Sequence, residues 1–190
     1  ILLVMLSAAY TIGLEWKRDT QLVLYRISGN SPLTALMGKL LPQTLVFWLI
    51  YILYAVYFYR YLQYPCNSGI MAMIGVGILT VLGAQGFATF LFGVSGQMRL
   101  SMCLCSLWGI LSFSLAGFTY PVTAMDPILQ KLSVLFPLRH YYLLYVNQAL
   151  NGYSIAYAWH SVLALAIFAL LPLLTLHHYR SLFTKVKYIP

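Results

Sequence analysis

Apolar residues run along this chain in long blocks, and the few charged positions divide them. Residues 1–14 carry no charge. The next uncharged block is 40–59, between Lys39 and Arg60, and it has the length of about 20 residues that a helix needs to cross roughly 30 Å of hydrocarbon. From 61 to 98 no charge occurs either, which is too long for one helix alone. That stretch opens with Gln63-Tyr64-Pro65-Cys66-Asn67-Ser68-Gly69, a loop signal, so the next span is expected at 70–93. Two more are expected at 101–119, after Arg99, and at 156–177. No internal repeat or low-complexity stretch interrupts the series.

Two segments break the pattern. Residues 15–36 mix charged and apolar positions and carry a Gly29-Asn30-Ser31-Pro32 stop signal, which suits a short helix lying on the membrane surface. Residues 120–153 are apolar but hold Pro121, Pro127 and Pro137 together with Asp126, Lys131, Arg139 and His140. Prolines at that density exclude one straight helix. Short helices dipping into the membrane, their irregular backbone covered by protein, fit this stretch.

Composition agrees with the pattern. The 190 residues are 62% hydrophobic and 7% charged, with a mean hydropathy of +0.83. About 25% charged residues is usual for soluble domains, so a water-soluble fold is excluded. The expected fold is an all-α polytopic bundle of about five spans. The net charge of +8 arises because the acids are only three, Glu15, Asp19 and Asp126. Its basic residues are dispersed between apolar blocks, which points to membrane topology and away from nucleic acid. With 15–36 on the cytoplasmic side, that side collects Lys17, Arg18, Arg26, Lys39, Arg99, Arg180, Lys185 and Lys187, against Arg60, Lys131 and Arg139 outside. The bias places the C-terminus in the cytoplasm and 120–153 outside.

Candidate chemistry is sparse. Cys103 and Cys105 sit two apart in an apolar run and face different sides of a helix, so they read as packing residues with Cys66. His177 and His178 diverge by about 100° around a helix and lack a nearby acid, so no metal site is expected. No acid falls inside a predicted span, where proton and ion pathways place them. Polar positions within spans, Thr80, Gln85, Thr89, Ser112 and Ser114, suit hydrogen bonds between helices. Gly75, Gly77, Gly83, Ala84 and Gly86 suit close helix packing, within this subunit or between two. Phosphate-binding glycine loops and nucleophile motifs are missing. No catalytic residue is expected.

The two irregular segments carry a resemblance. Glu15-Trp16-Lys17-Arg18-Asp19-Thr20, then Leu22-Val23-Leu24, then Leu36-Met37-Gly38-Lys39-Leu40-Leu41-Pro42, resembles a stretch of the ABC-2 type export permeases. Members of that family show E-x-x-x-G-T, a leucine-rich turn and G-K-x-x-P at the start of a span. Leu115-Ala116-Gly117-Phe118-Thr119-Tyr120-Pro121, Met125-Asp126-Pro127, Phe136-Pro137-Leu138-Arg139-His140-Tyr141 and Asn151-Gly152 are similar to the family's second signature. The resemblance extends over almost the whole chain. It departs where Asp19 stands for the usual glycine and where Asp126 precedes Pro127.

The resemblance implies one permease domain over 1–190 with six spans in the complete protein, so that the first span and a large extracytoplasmic domain precede Ile1. It implies a coupling segment at 15–36, with Glu15, Lys17, Arg18, Asp19, Thr20, Leu22 and Tyr25 meeting a separate ATP-binding subunit. Gly38, Lys39 and Pro42 would open the next span. An external gate would hold Gly117, Phe118, Tyr120, Pro121, Met125, Pro127 and Pro137. ATP and magnesium belong to the partner subunit, with no cofactor in this chain. A second permease copy or a homologous permease, and membrane lipid, complete the expected partners. The expected cargo is amphipathic, lipid-like or drug-like, exported across a bacterial inner membrane. A non-ABC secondary transporter or channel would show ionisable residues or broken helices at mid-membrane. A membrane-embedded enzyme or assembly factor would show converging His, Asp or Glu. The sequence offers neither pattern.

Overall fold

The computed structural model describes residues 1–118, 120–153 and 155–185. Its regular structure is all helix, with no strand among the described residues. Helix α1 (Leu2–Lys17) is followed by the short α2 (Gln21–Ile27) and the long α3 (Pro32–Val56), which continues as a π-helical turn to Tyr61. Then come α4 (Ile70–Ser95), α5 (Met98–Leu115), the short α6 (Pro127–Ser133) and α7 (Pro137–Tyr145), and finally α8 (Trp159–Leu170) and α9 (Pro172–Lys185). Four stretches are long and apolar enough to cross a membrane, namely Pro32–Tyr61, Ile70–Ser95, Met98–Leu115 and Ala156–Phe183. The 16-residue α1 packs among them. The all-α membrane bundle expected from hydropathy is the fold observed. Thr119 of the second signature and Lys187 of the basic tail lie outside the described residues.

Helix α4 is the hub, touching α1, α3, α5, α7, α8 and α9. Its ends are set by glycines in conformations that side chains disfavour, Gly69 at φ 89° and Gly96 at φ 64°. Lipid is as apolar as leucine, so helices here associate through fit and hydrogen bonds rather than through removal of water. Val4, Met5, Ala8 and Ala9 of α1 pack on Ala84, Phe87 and Ala88 of α4. Two of the expected small-residue contacts lie within the chain. The Tyr51 ring occupies the space beside Gly77, and the backbone of Phe168 and Ala169 lies against Gly86. A Cβ at Gly75 would meet no neighbouring helix within 4 Å.

Three sequence expectations change. Residues 15–36 are not a single surface helix: α1 runs through Lys17, and α3 already starts at Pro32, where proline's fixed φ suits the first helical position. Gly38, Lys39 and Pro42 therefore lie within α3 and do not open a span; Pro42 is an internal proline. In 120–153 the short helices expected from the prolines are present, Pro127 opening α6 and Pro137 opening α7. Asp126 caps α6 by accepting from the Ile128 N–H at 3.0 Å. Finally, the last span is broken. Pro172 supplies no N–H to the Phe168 carbonyl, and the chain turns at Leu171 between α8 and α9. A broken helix is thus present within a span, contrary to the expectation that none occurs.

Candidate coupling site and outer hairpin

At the end of α1, the Glu15 carboxylate pairs with the Lys39 ammonium of α3 and accepts the Thr20 hydroxyl. The Thr20 N–H also donates to the Glu15 carbonyl at 3.0 Å. The residues that carry the first motif are thereby drawn into one knot that ties α1, the turn before α2, and α3. Burial opposes ionisation of Glu15, but hydrogen bonds from Lys39 and Thr20 and the charges of Lys39 and Arg18 outweigh it. The carboxyl is held below its usual range. A depressed carboxylate pKa contributes stability at neutral pH that disappears as pH falls through the folded value.

Asp19 supplies the turn. Its φ of 53° lies in the left-handed region, where a Cβ is disfavoured and Asp is among the better tolerated residues. This is the position at which the family's element carries glycine. Asp19→Gly is expected to raise stability by about 0.5 kcal/mol and Asp19→Val to lower it by about 1–2 kcal/mol. Thermal unfolding of the purified protein measures both.

Beyond the knot, α2 has two faces. Gln21 and Tyr25, one turn apart, point inward. Tyr25 is only 7% exposed and stacks on Phe183 with ring centres 5.5 Å apart. It therefore cannot offer a docking anchor, as the sequence suggested. Lys17, Arg18, Asp19 and Leu22 are exposed, and so are Arg26 and two residues that sequence reasoning passed over, Val23 and Ile27 at 56% and 80%. The helical period finds them, because 22, 23, 26 and 27 share the side opposite 21 and 25. Beneath α2 the rings continue: Phe183 meets Trp16 at 4.9 Å, Trp16 meets Phe92 at 5.2 Å, and Phe92 stacks on Tyr179. The Tyr179 hydroxyl donates to the Thr89 carbonyl at 2.7 Å. This aromatic column joins α2 to α4 and α9 without a gap. Gly38 and Pro42 face outward from α3, away from it.

At the opposite end, α6 and α7 form a hairpin. Phe136, in its turn, is buried against Trp108 of α5, ring centres 5.0 Å apart. Trp108 lies about two helical turns inside the end of α5 at Leu115, so the hairpin dips about 10 Å into the bundle. Pro137 is buried at this turn, whereas Pro121 and Pro127 are exposed. Gly117, at φ 103°, swings the chain out of α5. Phe118 then rests on Tyr142 at 4.4 Å and stacks on Phe113. Tyr120 is about half exposed; its hydroxyl donates to the Ala124 carbonyl at 3.3 Å. Met125, partly buried, accepts the Gln130 side-chain amide at its carbonyl. His140 is buried, its Nε2 2.9 Å from the Val134 carbonyl, so it ties the hairpin together.

Next to Phe118 lies a chamber of about 400 Å³ lined by Tyr51, Tyr54, Phe58, Tyr59, Tyr64, Tyr141 and Tyr145. Tyr51, Tyr54 and Tyr141 also wall a second cavity of about 270 Å³, which reaches Ile1, Val4 and Gly77. Nothing in the linear sequence brings these tyrosines together. Among the described residues, no three His, Cys, Asp or Glu side chains converge.

Comparison with curated proteins and with solved structures found no match. A family model described as ABC-2 family transporter protein matches residues 1–176. The chain therefore belongs to the ABC-2 transporter family, as a multi-pass membrane permease that works with an ABC ATP-binding subunit.

Proposed function

We propose that this chain is the permease subunit of an ATP-driven exporter that moves an amphipathic, lipid-like or drug-like molecule out of the cytoplasm. The observation that carries the reading is α2. It presents an apolar and basic face to the outside of the bundle while its inner face is keyed, through Tyr25 and Phe183, into α4 and α9. Apolar anchors rimmed by charge are what a protein partner grips. An ATP-binding subunit, holding ATP and magnesium, closes and pushes α2. The push biases two arrangements of the spans, and ATP energy becomes a population shift between gates. A second copy, or a homologous permease, completes the pathway.

The outer end supports an amphipathic cargo. The chamber beside Phe118 combines aromatic faces with tyrosine hydroxyls and contains no charged side chain. Rings of that kind hold an apolar body and a polar tip together. The Lys/Arg bias supports a cytoplasmic 15–36 end and an outer hairpin, in a membrane we read as a bacterial inner membrane.

The experiment is co-purification of the protein with its ABC ATPase. Val23→Asp together with Ile27→Asp changes only exposed positions, so helicity and yield are expected to hold while ATPase capture falls at least tenfold. Capture that survives both changes would overturn α2 as the docking element.

A further inference from the structure

Between α3, α4, α8 and α9, closer to the start of α3 than the tyrosine chamber, lies a groove of about 220 Å³. Its walls include Leu40, Thr44, Trp48, Gln85, Pro172 and Leu176. Leu41 and Leu173 on its lining are about half exposed, so it opens toward lipid. The groove is apolar except at one place.

Gln85 is 3% exposed, and Thr44 Oγ1 lies 2.7 Å from its Oε1. Thr44 also lies 2.8 Å from the Leu40 carbonyl, and its hydroxyl has one hydrogen to share between two acceptors. Gln85 Nε2 is buried and has no protein partner. If the amide is turned over, Nε2 donates to Thr44 and the carbonyl end is left unbonded instead. In both arrangements one end of the amide is unpaired. Trp48 Nε1, a donor only, is also buried without a partner. Beside them Pro172, which has no N–H, leaves the Phe168 carbonyl without its helical donor. The position is about ten residues, roughly 15 Å, from the end of α4 at Ser95, where lipid supplies no water to bond. An unpaired amide there is strongly disfavoured unless something fills the groove and bonds it.

We propose that this groove binds a slender, mainly aliphatic molecule bearing one hydroxyl group, which bonds Gln85 beside the kink at Pro172. A hydroxyl both donates and accepts, so it satisfies whichever end of the amide is presented. The volume lies below the roughly 300–1,000 Å³ of pockets for drug-sized ligands, which selects a single chain over a ring system. Because the site shares no residue with the tyrosine chamber, it stands or falls independently of the transport reading.

The test uses the full chain in lipid nanodiscs, titrated with a dibrominated dodecanol and with the matched dibrominated dodecane. Bromine quenches nearby tryptophan, and Trp48 lines the groove. Saturable quenching by the alcohol is expected, and Trp48→Phe should remove it. Gln85→Met should weaken alcohol binding about tenfold, the loss of about one hydrogen bond in apolar surroundings, and leave the alkane unchanged. Leu173→Phe, at a half-exposed position, should exclude both probes. Quenching that does not saturate, or that persists in Leu173→Phe, overturns the site. Equal affinities of alcohol and alkane for the unaltered protein overturn the role of Gln85, a comparison that holds even where Gln85→Met fails to fold.

Discussion

Gly86→Leu is expected to prevent the bundle from assembling. A Cβ at Gly86 falls against the Phe168 carbonyl oxygen and 2.7 Å from Ala169 Cα, both backbone atoms, so no side-chain rotation relieves the collision. The contact lies one turn before the break at Pro172, where α8 and α9 meet α4. Overpacking of a tight interior costs about 1–3 kcal/mol and occasionally more, and here two helices must separate to accept even one methyl group. Gly86→Ala should therefore cost about 2 kcal/mol, and Gly86→Leu should give little or no monodisperse protein. Gly75→Ala is the control. It meets no neighbouring helix within 4 Å and lies in the same helix, so it is expected to raise stability slightly. Size-exclusion profiles with thermal unfolding in detergent read all three. Equal stability of Gly86→Ala and Gly75→Ala would show that the close approach of α8 to α4 contributes nothing.

Glu15→Ala is expected to uncouple the knot that joins α1, α2 and α3. The substitution removes the carboxylate that holds both the Lys39 ammonium and the Thr20 hydroxyl, and leaves Lys39, itself partly buried, without its counter-charge. The loss in stability should be modest, about 1–2 kcal/mol, since both groups retain some exposure. Its effect on ATP-driven transport should be larger, at least tenfold, because a loosened α2 absorbs the push. Lys39→Met should behave alike. The double variant should be no worse than either single one, since each removes the same interaction. Binding of the ATP-binding subunit should persist in all three, because the exposed face of α2 is unchanged. Transport that persists in Glu15→Ala would separate the knot from coupling.

Much of the fold was legible because lipid imposes a long-wavelength signal. A helix that must satisfy every backbone group while crossing hydrocarbon shows a run of about 20 apolar residues. The spans at 70–93 and 101–119 are close to α4 and α5 for that reason. The span expected at 40–59 misses the start of α3 because Lys39 reads as a boundary when its charge is counted alone. Its partner Glu15 lies 24 positions earlier, and the pair lets the helix begin eight residues sooner, at Pro32. Tyr25 misleads in the opposite way. In sequence it belongs to a polar stretch, and only the arrival of Phe183 from the far end of the chain turns it inward.

The sequence by itself determined that this protein lives in a membrane as an all-helical permease, where its two irregular segments fall, and which motif residues mark them. Those properties depend on local composition and on the order of residues along one chain. The tertiary structure alone decided that Glu15, Thr20 and Lys39 form one knot and that Val23 and Ile27, not Tyr25, face outward. It also brought tyrosines from α3, the following loop and α7 around one chamber, and left the Gln85 amide half paired beside a kinked helix. The reason is that lipid exerts no strong pull on which helix faces which. Those choices rest on close fit and on single hydrogen bonds between residues far apart in sequence, and neither leaves a periodic trace.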